Sequence, residues 1–370
     1  MLDEDDLEAA VAEGIVMPAQ IEALRLFVTN RRRTAERADE ERFRFMRGFN
    51  DFFFAVGIVL FGSGVAYFAD LDPIMNMLAA AIIWSLAEFM VGRMRLVLPG
   101  ILLACLFAFF IFRMTRLDWS YIAQLTGLPF HLGPRVHTDQ DSIFGNLEPI
   151  VVAGRALAAG LAATAFYARF RLPFALLVIA GSVVLFVSMI FSSILSSGSM
   201  TGMLILLGCG FGVFAVAMAY DLSDRTRTTR NADCAFWLHL LAAPLIVHSL
   251  IKLIVPASDA VPVWQNMTTT SAIAIYVIVA MLTAIAVLID RRALLVSALS
   301  YLGIAIGYAV TGAVHAGADR REVVVFFATL LILGALVLVL GVGWQPRRRI
   351  FLRPFPSALV ERLPPAVYPA

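Results

Sequence analysis

Lys252 is the only lysine in a chain of 370 residues, and His248 stands four positions before it. At that spacing the two side chains share one face of a helix. The segment that carries them, CAFWLHLLAAPLIVHSLIKLIV from Cys234 to Val255, is apolar enough to lie in a bilayer. Ionisable groups are costly there; they face protein or water and by default mark a path for ions or solutes. An ammonium beside an imidazole can hold an anion, and the imidazole, which titrates near neutrality, can pass a proton. Arg155, about one and a half turns inside another apolar stretch, would complete an outward-facing basic pocket with them. The competing reading has Lys252 and Arg155 reaching for the interface and His248 bonding a neighbouring helix.

Two more residues suit proton relay. Glu88 sits one turn after Trp84 near the end of a second apolar stretch, where Arg93 and Arg95 offer it an ion pair instead. His239 precedes His248 by nine residues. That is half a turn out of phase, so on a straight helix they face opposite sides, and Pro244 between them can kink it. Just upstream, Asp221, Asp224 and Asp233 alternate with Arg225, Arg227 and Arg230, a loop suited to a phosphate or a partner, or simply to fixing topology. His131, His137, Asp139, Asp141 and His315 match no metal-ligand spacing, so no metal is expected. Phosphate loops, HExxH and GxSxG are absent, so neither a cofactor nor enzymatic activity is expected.

These residues are positioned by long apolar segments. Hydrophobic residues make up 60% of the chain and charged ones 15%, against about 25% charged in soluble domains; mean hydropathy is +0.84. The apolar residues fall in blocks of about 17–25, the length that spans a membrane. Ten spans are predicted: Phe52–Ala69, Ile74–Val91, Leu96–Phe112, Ile150–Tyr167, Leu172–Leu195, Met200–Tyr220, Ala235–Val255, Ser271–Leu288, Ala293–Val314 and Val323–Val342. With the N-terminus in the cytosol, 22 of the 29 Lys and Arg fall on the cytosolic side and five outside, with Arg155 and Lys252 inside spans. Losing one span would swap every later loop and destroy this asymmetry, so both termini are expected in the cytosol of a bacterial inner membrane. Trp119 and Trp264 are expected near the outer interface, Trp237 and Trp344 near the inner one.

The expected class is therefore an all-α, polytopic transmembrane helical bundle. Residues 1–48 form a cytosolic helical hairpin with a charged lead-in helix, 49–344 the bundle with an outer loop at 113–149, and 345–370 a basic, Pro-rich cytosolic tail. The acidic start carries no signal peptide, which leaves the first span as the insertion signal. Cys105, Cys209 and Cys234 form no disulfide framework. Leu7, Val11 and Ile15 lie on one helical face, and Ile21, Leu24 and Val28 on a second after Gly14 and Pro18.

The pattern Leu7, Ala10, Gly14-Ile15, Gln20, Leu24, followed by a charged helix and many spans, resembles a family of bacterial membrane proteins defined only as a domain of unknown function. The resemblance covers about the first 70 residues and implies a cytosolic helix pair fused to a multi-span bundle. It implies no catalytic residue.

Gly62-Ser63-Gly64 and Gly208-Cys209-Gly210 occupy matching places in the first and sixth spans. They would mark an inverted five-plus-five repeat or close helix packing by small residues. Two functions follow from these observations. One is a permease-like carrier of a small or anionic solute using Lys252, His248 and Arg155. The other is a non-transporting anchor or sensor whose N-terminal hairpin binds a cytosolic protein. The remaining expected partner is the lipid bilayer, with no nucleic acid.

Overall fold

The computed structural model describes residues 13, 16–24, 26–27, 49–69, 72–114, 149–194, 199–224, 227, 229–254, 267–313, 318–342 and 344–356. Among them there is helix and no strand. The helices are α1 (Phe49–Ala69), α2 (Pro73–Ala87), α3 (Val97–Met114), α4 (Pro149–Phe170), α5 (Ala175–Ile194), α6 (Ser199–Ser223), α7 (Arg230–Ile254), α8 (Thr269–Ile289), α9 (Ala293–Ala313), α10 (Ala318–Val342) and α11 (Trp344–Leu352). Nine of these have the length and hydropathy to cross a membrane, which makes the chain a multi-pass membrane protein. The expected ninth span falls on α9, an apolar helix of 21 residues.

Local chemistry sets several boundaries. Asp72 caps α2, its Oδ1 accepting from the backbone N–H of Ile74 at 2.8 Å and of Met75 at 3.1 Å, with Pro73 in the first turn. Thr268 caps α8 through its hydroxyl. The far end of α2 widens into a π-helix over Glu88–Arg93. Leu96 N–H closes onto Met90 C=O, with Arg95 left-handed at φ 56° between them. That closure is one residue wider than the six-to-one bond of a Schellman cap, as follows from the π-helix before it, and Arg95 stands where glycine normally would.

In lipid, bringing apolar side chains together gains nothing from water, so helix association rests on close packing and on hydrogen bonds. One packed region lies among α1 to α5, built on Ile83, Leu103, Phe110 and Phe166. There Trp84 meets Phe107, Phe166 and Phe170 at ring centroids of 5.1, 6.0 and 5.4 Å. A second region lies among α7, α8 and α9, built on Val247, Ile251, Ile275 and Leu302. α7 bridges the two and contacts α5, α6, α8 and α9. Its spanning window is 56% buried, the highest of the nine, whereas that of α10 is 0%. α10 therefore presents Phe326, Phe327, Leu331 and Leu338 outward, as a lipid-facing helix does. The stretch that the sequence marked for chemistry is thus the centre of the bundle.

α6 and α7 form the most extensive helix pair. Gly210 permits it: a Cβ there would lie 2.9 Å from Ile246 Cγ1 and 3.2 Å from the Ile246 backbone nitrogen. Gly62 likewise meets the Leu106 side chain, while Gly64 and Gly208 face open space. α1 and α6 run without interruption through both glycine pairs, so close packing accounts for one glycine of each. The N-terminal residues that carry the expected hairpin and the family resemblance lie mostly outside the described residues. Within them, 18–24 are helical, starting at Pro18.

Candidate functional site at the arginine-rich end

Four turns meet at one end of the bundle, those that carry Arg95, Arg171, Arg227 and Asp290. Two arrangements of charged residues are built there, on opposite faces of the first two turns of α7. Ala232 and His239 are seven residues apart on one face; Arg230, Asp233 and Trp237 lie on the other.

On the first face a buried ionic cluster ties five elements together. Asp221, on the last turn of α6, accepts from both sides. His239 Nε2 is 2.8 Å from its Oδ2, and Arg291, in the turn after α8, contacts both carboxylate oxygens. Arg291 also donates to the Ala232 carbonyl at 3.1 Å. All three side chains are buried. With Nε2 against a carboxylate, the neutral imidazole keeps its proton there, and Nδ1 is left as a buried lone pair without a hydrogen-bond partner. The Phe214 ring lies edge-on to the imidazole at 5.3 Å.

Beside it, Asp290 takes the left-handed C-cap of α8. Its Oδ2 is 3.3 Å from Arg227 and 3.6 Å from Arg348, and its Oδ1 accepts from Trp344 Nε1 at 2.7 Å. Arg227 further donates to the carbonyls of Ile289 and Asp290, and Arg348 to that of Val287. The C-terminal helix α11 is therefore docked by a fully buried arginine and tryptophan. Burial lowers the Arg348 pKa and Asp290 opposes that shift; an arginine keeps its charge regardless. Asp224 completes the group by accepting from Thr229 N–H and hydroxyl at 2.8 and 2.6 Å.

The second face opens into a cleft of about 860 Å³. Arg95, Arg169, Arg171 and Arg230 line it with Asp233, over a floor that includes Leu172, Phe174 and Trp237. The Phe174 and Trp237 rings meet edge-on at 4.7 Å. Arg171, like Arg95, has a left-handed backbone, at φ 53°.

The residues singled out in the sequence are distributed as follows. His239 belongs to the buried cluster. His248 lies farther along α7 and meets Tyr301 of α9, its Nδ1 2.5 Å from the phenol oxygen; the two histidines thus serve different partners. Lys252 is half-buried one turn beyond His248. Arg155 is buried on α4, a helix that packs on α3 and α5. Glu88 forms an ion pair, with Arg169 at 2.7 Å rather than with Arg93 or Arg95. The π-helix turns it toward α4, 81 residues away. Trp237 and Trp344 lie at the arginine-rich end, Trp344 buried against Asp290 instead of standing in an interfacial belt. His131, His137, Asp139, Asp141, His315, Arg225, Trp119 and Trp264 lie outside the described residues.

Sequence reasoning missed Asp290, Arg291, Arg348 and Tyr301. Each partner lies 53 to 70 residues away, beyond any local spacing rule. The one available signal was composition: the aspartates adjoining arginine in the turns after α6 and α8 are more than topology requires.

The fold and the site define a multi-pass helical membrane protein with a buried ionic cluster and an arginine-lined cleft at one end. Comparison with family models, with curated proteins and with solved structures finds no match. The functional reading therefore rests on the chain's own residues.

Proposed function

We propose that this protein is a permease-like carrier of a small anionic solute in a bacterial inner membrane, with its arginine-rich end and both termini in the cytosol. The observation that supports this most is the His239–Asp221–Arg291 cluster, a buried ionic group on the most enclosed helix. The pairs Asp221–Arg291 and Asp290–Arg227 join the ends of α6 to α9 and act as a closed inner gate. At the far end of α7, His248 and Lys252, with Arg155, receive the anion from outside. Protonation of His239 Nδ1 would put a second cation against Asp221, beside Arg291. Like charges competing for one carboxylate weaken each other's hold, so the proton loosens the gate.

The experiment uses the full chain in liposomes that enclose a pH-sensitive dye, with acetate, lactate, succinate or inorganic phosphate added outside. Wild-type protein should carry protons inward with at least one of these anions. Lys252→Met and His239→Asn should abolish the flux at normal abundance. Flux unchanged in both variants would remove the carrier reading.

One observation favours the anchor-module reading. In the N-terminal segment Ile21 is buried while Met17, Leu24, Leu26 and Phe27 are exposed, apolar side chains open to a cytosolic protein. Deleting residues 1–30 should then lose a co-purifying partner and keep membrane insertion. Recovery of the same partners from the truncated protein would end that reading.

A further inference from the structure

The arginine-lined cleft is separate from the ionic cluster and from the outer residues of α7. Its geometry does not depend on whether the protein transports anything. Five elements build it: the π-helical end of α2, the start of α3, the end of α4, the turn that leads into α5 and the first turns of α7. Its volume lies in the range of ligand pockets, about 300–1,000 Å³.

Its charge is unbalanced. Four arginines face one carboxylate, Asp233, within the cleft. Arg169 is already engaged by Glu88. Arg95, Arg171 and Arg230 form no ion pair among the described residues. Guanidinium groups that outnumber the carboxylates around them repel one another, and they present donors in the fork geometry that matches phosphate oxygens.

The backbone repeats the message. Arg95 and Arg171 both hold left-handed conformations that a glycine would adopt without strain. Strained non-glycine backbone persists where the surroundings hold it and gathers at functional sites. The adjoining π-helical segment is of the same kind, since such segments also mark functional sites. Two arginines thus stand at two turns where stability alone would favour glycine.

The floor adds a second requirement. Leu172, Phe174 and Trp237 add apolar and aromatic surface to the cleft lining. A ligand that satisfies both the arginines and this surface carries a phosphate group on an apolar body. Basic pockets between membrane helices bind anionic lipid headgroups in this way.

We propose that the cleft bounded by Arg95, Arg171, Arg230 and Trp237 is a binding site for a phosphate group, borne by an anionic phospholipid headgroup or by a soluble phosphate compound. The two sources are separated by two arms. In the first, full-length protein is taken from nanodiscs of phosphatidylcholine with phosphatidylglycerol, and retained lipid is counted by native mass spectrometry. In the second, radiolabelled inorganic pyrophosphate is titrated by equilibrium dialysis in phosphatidylcholine alone.

The deciding variant is Arg95→Gly with Arg171→Gly. Glycine suits both backbones, so melting temperature should hold or rise, while binding should weaken at least about tenfold. Arg93→Gln with Arg353→Gln removes two exposed arginines outside the cleft and should leave binding unchanged. Should the glycine pair lower the melting temperature, Arg230→Gln carries the same test from an exposed helix start. Retention of phosphatidylglycerol assigns the site to a headgroup, and pyrophosphate binding assigns it to a soluble ligand. Absence of both, or equal weakening by the control pair, overturns the proposal.

Discussion

Arg227 and Asp290, 63 residues apart in the chain, both hold left-handed backbone and meet side chain to side chain at 3.3 Å. Four non-glycine residues among those described have positive φ: Arg95, Arg171, Arg227 and Asp290. All are charged and all lie at the same end of the bundle. Two line the open cleft; the other two close the buried cluster. Both arrangements rest on turns that hold a charged side chain where the backbone would prefer glycine or asparagine.

Asp290 supports the cluster through its charge as well as its backbone. Asp290→Asn tolerates the left-handed conformation and keeps the shape, but leaves the buried arginines without their carboxylate. Breaking a buried pair from one side costs about 3–5 kcal/mol. Asp290→Ala should cost more, by the roughly 1–2 kcal/mol of a left-handed alanine. Denaturant unfolding in detergent should rank wild type above Asn and Asn above Ala.

Asp221 and Arg291 form the other half of the cluster and call for a double-mutant cycle. Asp221→Asn and Arg291→Met should each destabilise by about 3–5 kcal/mol, since each strands its partner. The combined variant should lose clearly less than the sum, because neither charge is then left buried alone. Additive losses would mean that the two residues act independently.

Trp344 ties α11 to the bundle. Trp344→Phe keeps the ring under the Arg292 guanidinium, now 5.4 Å from the ring centroid, and removes only the indole N–H to Asp290. The expected loss is about 1–3 kcal/mol, set by the carboxylate left without that donor. Hydrogen exchange in α11 should rise before exchange in α8 does. Simultaneous change in both helices would show that α11 has no independent docking equilibrium.

The helical class and the helices themselves were legible in the sequence because apolar runs of spanning length are a strong and local signal. α7 stood out in the sequence because ionisable residues are conspicuous in an apolar segment, and in the structure it is the most enclosed of the nine spans. The partners of those residues were not legible. His239 finds Asp221 at a distance of 18 residues, but Asp221 finds Arg291 at 70, and only the order in which the helices pack brings those turns together. Arginines at the ends of spans fix topology by rule. That rule hid the difference between Arg93, which is exposed, and Arg291 and Arg348, which are buried. The cleft was hidden for a related reason, since it draws on five elements and no two of its arginines announce themselves by spacing.

The glycine pairs allow a test of packing that is independent of charge. Alanine at Gly208 would meet open space, so Gly208→Ala should be neutral, or stabilising by up to about 1 kcal/mol through helix propensity. Gly62→Ala would press on Leu106, whose side chain is flexible and whose nearest atom lies 2.6 Å from the new Cβ; rotation of that side chain relieves the contact, so a small loss is expected. Gly210→Ala has no such relief, because Ile246 meets it with backbone as well as side chain. Overpacking of that kind costs about 1–3 kcal/mol, and it falls on the α6–α7 pair that positions Asp221 against His239. Thermal unfolding should therefore order the variants Gly208, Gly62, Gly210 from least to most damaging. Equal effects at all three positions would mean that α6 and α7 are not held at the distance described, and the Asp221–His239 contact would lose its structural basis.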